Sequence, residues 1–211
     1  MPSIEKKIMA VLPEGIAKPL RKLRRNQILQ QWERAGKPMP PPHQVKQLAI
    51  ENYAGKYSCK ILVETGTYLG DMMQAQKENF EKLYSIELSK ELWERAVNRF
   101  RKDPNVEIIN GDSGKVLFTL VPAFREPVLF WLDGHYSGGI TAKGETECPV
   151  FLELDAILIP GAPKHVILID DARLFNGTND YPTITQLEEY LGRKNMNHQL
   201  EVRDDLIRIT P

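Results

Sequence analysis

The sequence has little cysteine, no excess of one charge and no long apolar run. Its 211 residues include two cysteines, Cys59 and Cys148, which are too few for a disulfide framework or a zinc site and are interpreted as free thiols. The longest apolar stretches have the length of a strand, far below the roughly 20 residues that cross a membrane. Residues 1–10 contain no apolar core of signal-peptide length. These absences predict a cytoplasmic protein without a membrane span.

Charge is unevenly distributed along the chain, although the formal net charge is zero. Residues 1–46 contain ten Lys or Arg and three acids, a net charge of +7, which leaves −7 for the remainder. A basic arm of this kind can contact nucleic acid, an acidic lipid surface or an acidic partner. No aromatic residue interleaves with the Lys18–Arg25 cluster, which favours a solvated helix face and argues against nucleic acid. The arm is also a segment through which copies of the chain can associate.

A proline-rich joint separates this arm from the rest of the chain. Glu14–Ala35 is predicted to be one basic helix, and the prolines between Lys37 and Pro42 end it. The sequence therefore predicts an N-terminal extension over residues 1–42 and a main domain over residues 43–211. A domain of that size can bury a sizeable core.

Strand-sized apolar segments alternate with helical segments through the main domain. The predicted strands are Lys60–Glu64, Lys82–Glu87, Val106–Ile109, Val128–Leu132, Val166–Ile169, Gln199–Arg203 and Leu206–Thr210. The predicted helices are Val45–Tyr57, Asp71–Phe80, Lys90–Lys102, Gly114–Leu120, Val150–Ile159 and Thr183–Leu191. This alternation predicts an α/β fold, a doubly wound and mostly parallel sheet of seven strands with helices on both faces. The two residues between the last two strands permit only an antiparallel hairpin.

The first candidate site lies where the first strand ends, because ligands of open α/β sheets bind beyond the carboxyl ends of the strands. Glu64 ends this strand, and the following loop contains Gly66 and Gly70, whose backbone can approach a ligand closely. The N-terminus of the next helix can attract an anion. The glycine spacing misses the dinucleotide fingerprint, and the loop lacks the Lys-Ser/Thr of a phosphate loop. A purely structural turn is the alternative interpretation.

Acidic residues also follow the second and third strands. Glu87 lies 21 residues beyond Gly66, the distance at which an acid accepts the ribose hydroxyls of a nucleotide cofactor. NAD and S-adenosylmethionine both carry that ribose, so Glu87 alone does not choose between them; Leu88 could pack on the adenine. Asp112, with Ser113, is placed to accept the adenine amino group. The alternative for Asp112 is a helix N-cap.

The fourth and fifth strands end in three more carboxylates. Asp133 is followed by a long loop rich in glycine, residues 134–147, and the fifth strand ends at Asp170 and Asp171. Three neighbouring carboxylates repel one another unless a cation neutralises them, and oxygen ligands favour Mg²⁺ or Ca²⁺. In the alternative, Asp133 serves the cofactor while Asp170 and Asp171 cap the next segment or pair with Arg173.

Taken in order, four of these segments resemble the motifs of the class I S-adenosylmethionine-dependent methyltransferases. The segments are Glu64-Thr65-Gly66-Thr67-Tyr68-Leu69-Gly70, Tyr84-Ser85-Ile86-Glu87, Asn110-Gly111-Asp112-Ser113 and Trp131-Leu132-Asp133-Gly134-His135. Asp133 with Asp170-Asp171 resembles the metal site of macrocin-type and cephalosporin-hydroxylase-related O-methyltransferases. The resemblance spans roughly Val45–Pro211 and departs at Thr67, where the superfamily usually has a central glycine.

The resemblance implies a Rossmann-like fold and methyl transfer from S-adenosylmethionine to a hydroxyl of a small molecule or a sugar. By resemblance, the cofactor residues are Glu64, Thr65, Gly66, Thr67, Tyr68 and Gly70 for the methionine part, Glu87 and Leu88 for the nucleoside, Asp112 and Ser113 for the adenine end, and Asp133. Mg²⁺ on Asp133, Asp170 and Asp171 would lower the pKa of the acceptor hydroxyl. His135 would take the acceptor's proton; otherwise it is a loop histidine bonded to the backbone.

Two other functions are compatible with parts of this pattern. A non-catalytic module could keep the S-adenosylmethionine pocket and dock a partner through the basic arm. A nicotinamide-dependent oxidoreductase would also need the acid at Glu87, but the glycine spacing and the terminal hairpin both disfavour it.

Overall fold

The structure, a computed structural model, describes residues 14–134, 148–194 and 197–211, with side chains from Pro19 onward. Contacts between Cα atoms divide the chain into two compact units, Met1–Lys46 and Gln47–Pro211. No helix among the described residues is both long enough and apolar enough to cross a membrane. All strands of the described chain lie in the second unit.

Helix α1 (Glu14–Arg34) belongs to the first unit and carries most of its basic residues. In the turns after α1, the indole N–H of Trp32 donates to the carbonyl of Pro38 at 2.9 Å, and the Lys37 ammonium lies 5.4 Å from the centre of the Trp32 ring. These contacts close the C-terminal end of α1 onto the proline-rich joint. Helix α2 (His43–Tyr57) starts at the end of that joint.

The sheet has seven strands, and their order is β3-β2-β1-β4-β5-β7-β6. The strands are β1 (Ile61–Thr65), β2 (Lys82–Glu87), β3 (Val106–Asn110), β4 (Val128–Leu132), β5 (Val166–Ile169), β6 (Gln199–Arg203) and β7 (Leu206–Thr210). The first five pair in parallel, while β7 runs antiparallel to both β5 and β6. The predicted fold class is confirmed, including the antiparallel ending.

Helices connect the parallel strands and cover both faces of the sheet. They are α3 (Asp71–Gln76), α4 (Lys90–Phe100), α5 (Ser113–Leu120), α6 (Val150–Ile157) and α7 (Ile184–Arg193). Strands β4 and β5 are buried along their whole length, as expected for strands covered on both faces. Alternate residues of β4 accordingly enter two separate cores: Phe130 packs beside α5 to α7, and Trp131 beside α2 to α4. The helices thus bury the centre of the sheet on both faces.

Helix α3 ends at Gln76, four residues earlier than the sequence predicts. The Gln76 side chain is fully buried and donates to the carbonyl of Gln47, while the Asn79 amide donates to Gln76 Oε1 at 2.9 Å. These two side-chain bonds hold the turn that follows α3. The chain can then turn back and start β2 at Lys82.

The turn between β6 and β7 consists of Asp204 and Asp205, both in the left-handed region with φ of 51° and 60°. Two consecutive residues with positive φ make the type I′ turn that matches the twist of a hairpin. The buried Asp205 carboxylate accepts the backbone N–H of Arg173 at 2.8 Å and also pairs with its guanidinium. The hairpin is thereby fastened to the segment that follows β5.

Candidate functional site

The carboxyl ends of five neighbouring strands form one continuous edge. Backbone hydrogen bonds extend the ladder one residue past the strands: Gly66 donates to Ile86, and Asp133 donates to Thr65. Further bonds join Gly111 to Glu87 and Asp170 to Leu132, all at 2.9–3.1 Å. The order reverses between β1 and β4, which is where open α/β sheets form their ligand crevice. The predicted strand-end acids therefore lie along one edge.

Gly66 is required for the close approach of the β1 and β4 ends. Its φ is +81°, and a Cβ atom built there would lie 2.5 Å from the carbonyl oxygen of Asp133. Gly70 also has positive φ, and its Cβ would lie 2.7 Å from the ring of Phe100. Both positions therefore exclude a side chain, for conformational and for steric reasons.

A buried hydrogen-bond chain, formed by Glu64, Ser85 and Thr67, lies below this loop. The Ser85 hydroxyl donates to the Glu64 carboxyl group, and the Ser85 and Thr67 hydroxyls are 2.6 Å apart. Burial raises the pKa of Glu64 to about 8, the nearby Glu87 charge raises it further, and the Ser85 hydroxyl opposes the rise. Thr67, the departure from the family pattern, thus uses its hydroxyl to anchor the loop to β2.

Glu87 organises the loop above it. Its two carboxylate oxygens accept the backbone N–H groups of Tyr68 at 2.8 Å and of Ser89 at 2.9 Å. Each oxygen retains a second lone pair, so the group can accept further donors. The side chains of Tyr68, Leu69 and Leu88 nearby are 38–48% exposed. An acid beside exposed apolar side chains suits a ribose joined to a flat base.

Asp112 acts as the N-cap of α5, the alternative that the sequence left open. Its Oδ1 accepts the backbone N–H of Gly114 at 2.9 Å, and its Oδ2 lies 3.9 Å from the Lys115 ammonium. Ser113, the first residue of α5, is buried. Capping does not preclude a role toward a ligand, because a carboxylate accepts several hydrogen bonds.

Asp133 directly follows β4 and is half-buried. Its backbone is held to β1 at both of its ends, through the N–H bond to Thr65 and the contact of its carbonyl with Gly66. His135, the proposed proton acceptor, and the long loop at residues 135–147 lie outside the described residues.

The predicted metal triad is not assembled among the described residues, where no three metal-ligating side chains lie close enough to hold an ion. Asp171 has φ of 54°, and its carboxylate pairs with the Arg173 guanidinium at 2.9 Å. The Asp170 carboxylate accepts the backbone N–H of Asp171 at 2.8 Å. The two acids after β5 are thus engaged in local contacts, as in the alternative interpretation. These residues do not fit a Mg²⁺ ion as they stand.

A buried acid that the sequence interpretation overlooked, Glu153, lies beside the edge. It is on the first turn of α6 and is 2% exposed. Burial raises its pKa to about 7, Asp112 raises it further, and the hydroxyls of Ser113 and Thr65 oppose the rise. The signal was its position in the helix, because Glu153 shares the apolar face of Val150 and Ile157 at helical spacing.

Solved structures share this fold at low sequence identity. An O-methyltransferase from Bacillus cereus, in complex with S-adenosylhomocysteine, has a TM-score of 0.55 and 13% identity, covering 89% of this chain and 90% of that one. TomG, an O-methyltransferase from Streptomyces achromogenes in complex with S-adenosylmethionine, has a TM-score of 0.55 and 16% identity over 88% and 87%. The Podospora anserina methyltransferase PaMTH1, bound to S-adenosylhomocysteine, has a TM-score of 0.52 and 18% identity over 95% and 97%.

No protein-family model matches the sequence, and no curated protein matches it significantly. The likeness to these solved structures covers 88–95% of this chain. The chain therefore has the fold of the class I, Rossmann-like, S-adenosylmethionine-dependent methyltransferases.

Proposed function

We propose that this protein is an S-adenosylmethionine-dependent methyltransferase that methylates a hydroxyl oxygen of a small molecule or a sugar. One observation carries the proposal: Glu64, Glu87, Asp112 and Asp133 lie along one continuous edge of the sheet, on both sides of the reversal in strand order. The fold likeness adds support, since two of the similar structures are O-methyltransferases bound to S-adenosylhomocysteine or S-adenosylmethionine.

The residues at this edge suit an adenosyl cofactor. Gly66 places no side chain between the ends of β1 and β4. The Glu87 carboxylate has lone pairs that can accept hydroxyl donors. Leu88 offers an exposed apolar surface for a base, and Asp112 an acceptor for an amino group. The loop from Thr65 to Gly70 would hold the methionine part.

When bound, the cofactor supplies an already activated methyl group. The residues of this chain then have three tasks: to orient the acceptor oxygen, to exclude water and to receive the acceptor's proton. Asp133 lies at the end of β4, next to the β1 loop, and would orient the acceptor. We assign the proton to His135, whose ordinary pKa suits that step near neutral pH.

Assistance by a Mg²⁺ ion is a further part of the proposal. It requires Asp171 to leave Arg173, whose guanidinium now lies 2.9 Å from its carboxylate. Titration with MgCl₂ of the wild type and of Asp171→Asn tests it. A metal held by Asp171 predicts that the variant binds Mg²⁺ at least tenfold more weakly; equal Mg²⁺ affinity and equal activity in excess chelator would remove the metal from the proposal.

Calorimetric titration with S-adenosylmethionine, S-adenosylhomocysteine and NADH tests the cofactor. We expect both adenosyl ligands to bind and NADH not to bind. Binding of NADH alone would favour the oxidoreductase instead. A protein that binds S-adenosylmethionine but methylates none of a broad panel of hydroxylated acceptors would be the non-catalytic module.

The role of Glu87 is tested by a cycle that changes both protein and ligand. The wild type, Glu87→Ala and the surface control Glu94→Ala are each titrated with S-adenosylhomocysteine and with its 2′-deoxy analogue. If Glu87 binds the ribose, removing the hydroxyl weakens binding about tenfold in the wild type and in the control but not in Glu87→Ala. An equal loss in all three proteins would assign Glu87 only to holding the Tyr68 and Ser89 amides.

A further inference from the structure

Glu153 is an acidic residue at a position that favours an apolar side chain. Its carboxyl group lies on the apolar face of α6 and is 2% exposed. The Ser113 and Thr65 hydroxyls act on this carboxyl group, although its Oε1 atom and the buried Oγ1 of Thr65 make no hydrogen bond of full geometry among the described residues. A buried polar group without a full set of partners destabilises the fold by comparison with an apolar side chain of similar size.

The carboxyl group of Glu153 is directed at the place where the β1 and β4 ends meet. A Cβ atom built on Gly134 would lie 3.4 Å from Glu153 Oε1 and 3.0 Å from Thr65 Oγ1. Both oxygens therefore lie on the side of Gly134 where a side chain would project. Gly134 follows Asp133, and Thr65 precedes Gly66. The backbones of Asp133 and Gly66 lie in contact.

Glu153 also borders the third strand end. The Ser113 hydroxyl lowers the pKa of its carboxyl group, and the Asp112 charge raises it. Helices α5 and α6 pack closely there, because a Cβ atom on Gly114 would lie 3.1 Å from the Cβ of Leu152. One carboxyl group thus adjoins the ends of β1 and β4 and the start of α5.

We propose that Glu153 is a positioning residue: through the Thr65 hydroxyl, its carboxyl group fixes the Asp133–Gly134 turn against the end of β1. The inference rests on the proposed function, because the edge it positions is the cofactor crevice. The Glu153 side chain itself is 2% exposed. Its effect on a ligand therefore passes through the backbone of the turn.

The test separates stability from ligand affinity in three variants. Glu153→Leu removes the buried carboxyl group, Glu153→Gln keeps its shape and hydrogen bonding, and Asp155→Asn is the control on the same helix. Asp155 faces away from the crevice. Its carboxylate accepts the Tyr190 hydroxyl at 2.7 Å and lies 2.5 Å from the Lys194 ammonium. Thermal unfolding and the Kd for S-adenosylhomocysteine are measured for each.

We expect Glu153→Leu to unfold at or above the wild-type temperature and yet to bind S-adenosylhomocysteine at least tenfold more weakly. Glu153→Gln should bind within threefold of the wild type, because its amide oxygen can take the place of the carboxyl oxygen beside Thr65. Asp155→Asn should unfold at a lower temperature with unchanged affinity. If Glu153→Leu binds as the wild type does, or if Glu153→Gln binds as weakly as Glu153→Leu, the proposal is wrong.

Thr65→Val covers the case in which Glu153→Leu does not fold. It removes the other partner of the same interaction, so we expect a similar loss of affinity. Where Glu153→Leu does fold, combining it with Thr65→Val should add little further loss, since the two groups act as one unit; additive losses would overturn the proposal. A wild type that does not bind S-adenosylhomocysteine at all would overturn the proposed function as well, which distinguishes the two failures.

Discussion

The buried carboxyl group of Glu64 makes the stability of this protein depend on pH. Its pKa rises from an ordinary value of 4.5 to about 8 in the folded chain, mainly through burial. Between these two values the unfolded chain has lost the proton while the folded chain keeps it. The free energy of unfolding therefore falls as the pH rises through this window, and the stabilisation is fully present only below about pH 4.5.

The magnitude follows from about 1.36 kcal/mol for each pKa unit. From about pH 5 to about pH 7.5, Glu64 should lower the free energy of unfolding by about 3 kcal/mol. In Glu64→Gln the neutral amide mimics the protonated acid, so this part of the pH dependence is lost. The variant should therefore gain about 3 kcal/mol relative to the wild type over the same range.

Urea unfolding of both proteins at five pH values measures this difference. Glu94→Gln, on the exposed side of α4, removes the same charge at the surface and should follow the wild-type curve. If the curves of Glu64→Gln and the wild type stay parallel from pH 5 to pH 7.5, Glu64 does not retain its proton and the reasoning fails. A curve for Glu64→Gln that falls more steeply than the wild type would also refute it.

Three further variants test contacts at the same edge. Gly66→Ala should lower the free energy of unfolding by about 2 kcal/mol or more, because φ is positive and the new methyl group meets the Asp133 carbonyl. Urea unfolding followed by circular dichroism measures this loss, and an unchanged midpoint would contradict it. Arg173→Met leaves the buried Asp205 carboxylate without its cation and should cost about 2 kcal/mol, measured in the same way; in high salt the loss should persist. Thr67→Val breaks the buried hydrogen-bond chain and should lower the free energy of unfolding by about 1 kcal/mol. Thr67→Ser keeps the hydroxyl and should lose less than half as much; calorimetry measures both variants.

Most of the fold could be predicted from the sequence because the signals were local. β4 and β5 are continuous apolar runs, and their bounds agree with the predicted ones. The two residues between β6 and β7 determined the direction of the last pair. The end of α3 lies four residues before the predicted one, and the Gln76 side chain at that end makes a distant contact, its bond to the Gln47 carbonyl, that the sequence does not reveal.

The candidate site was less accessible to sequence reasoning. Strand-end acids were identifiable because the carboxyl ends of parallel strands meet at one edge, but the partners of each acid depend on tertiary contacts. Asp171 pairs with Arg173, and the same guanidinium also pairs with Asp205 of the distant hairpin turn. Glu153 was missed because an acid in an apolar helix has no partner that is visible in the sequence.

The position of β7 has a consequence for how the chain is completed during synthesis. β6 leaves the ribosome before β7, yet among the described strands its one neighbour is β7, which lies between it and β5. The open side of β5, a buried and wholly apolar strand, therefore stays without a neighbour until Leu206–Thr210 has been made. A nascent or truncated chain that stops before Leu206 presents that side to other chains, which is the circumstance that promotes aggregation and recruits chaperones.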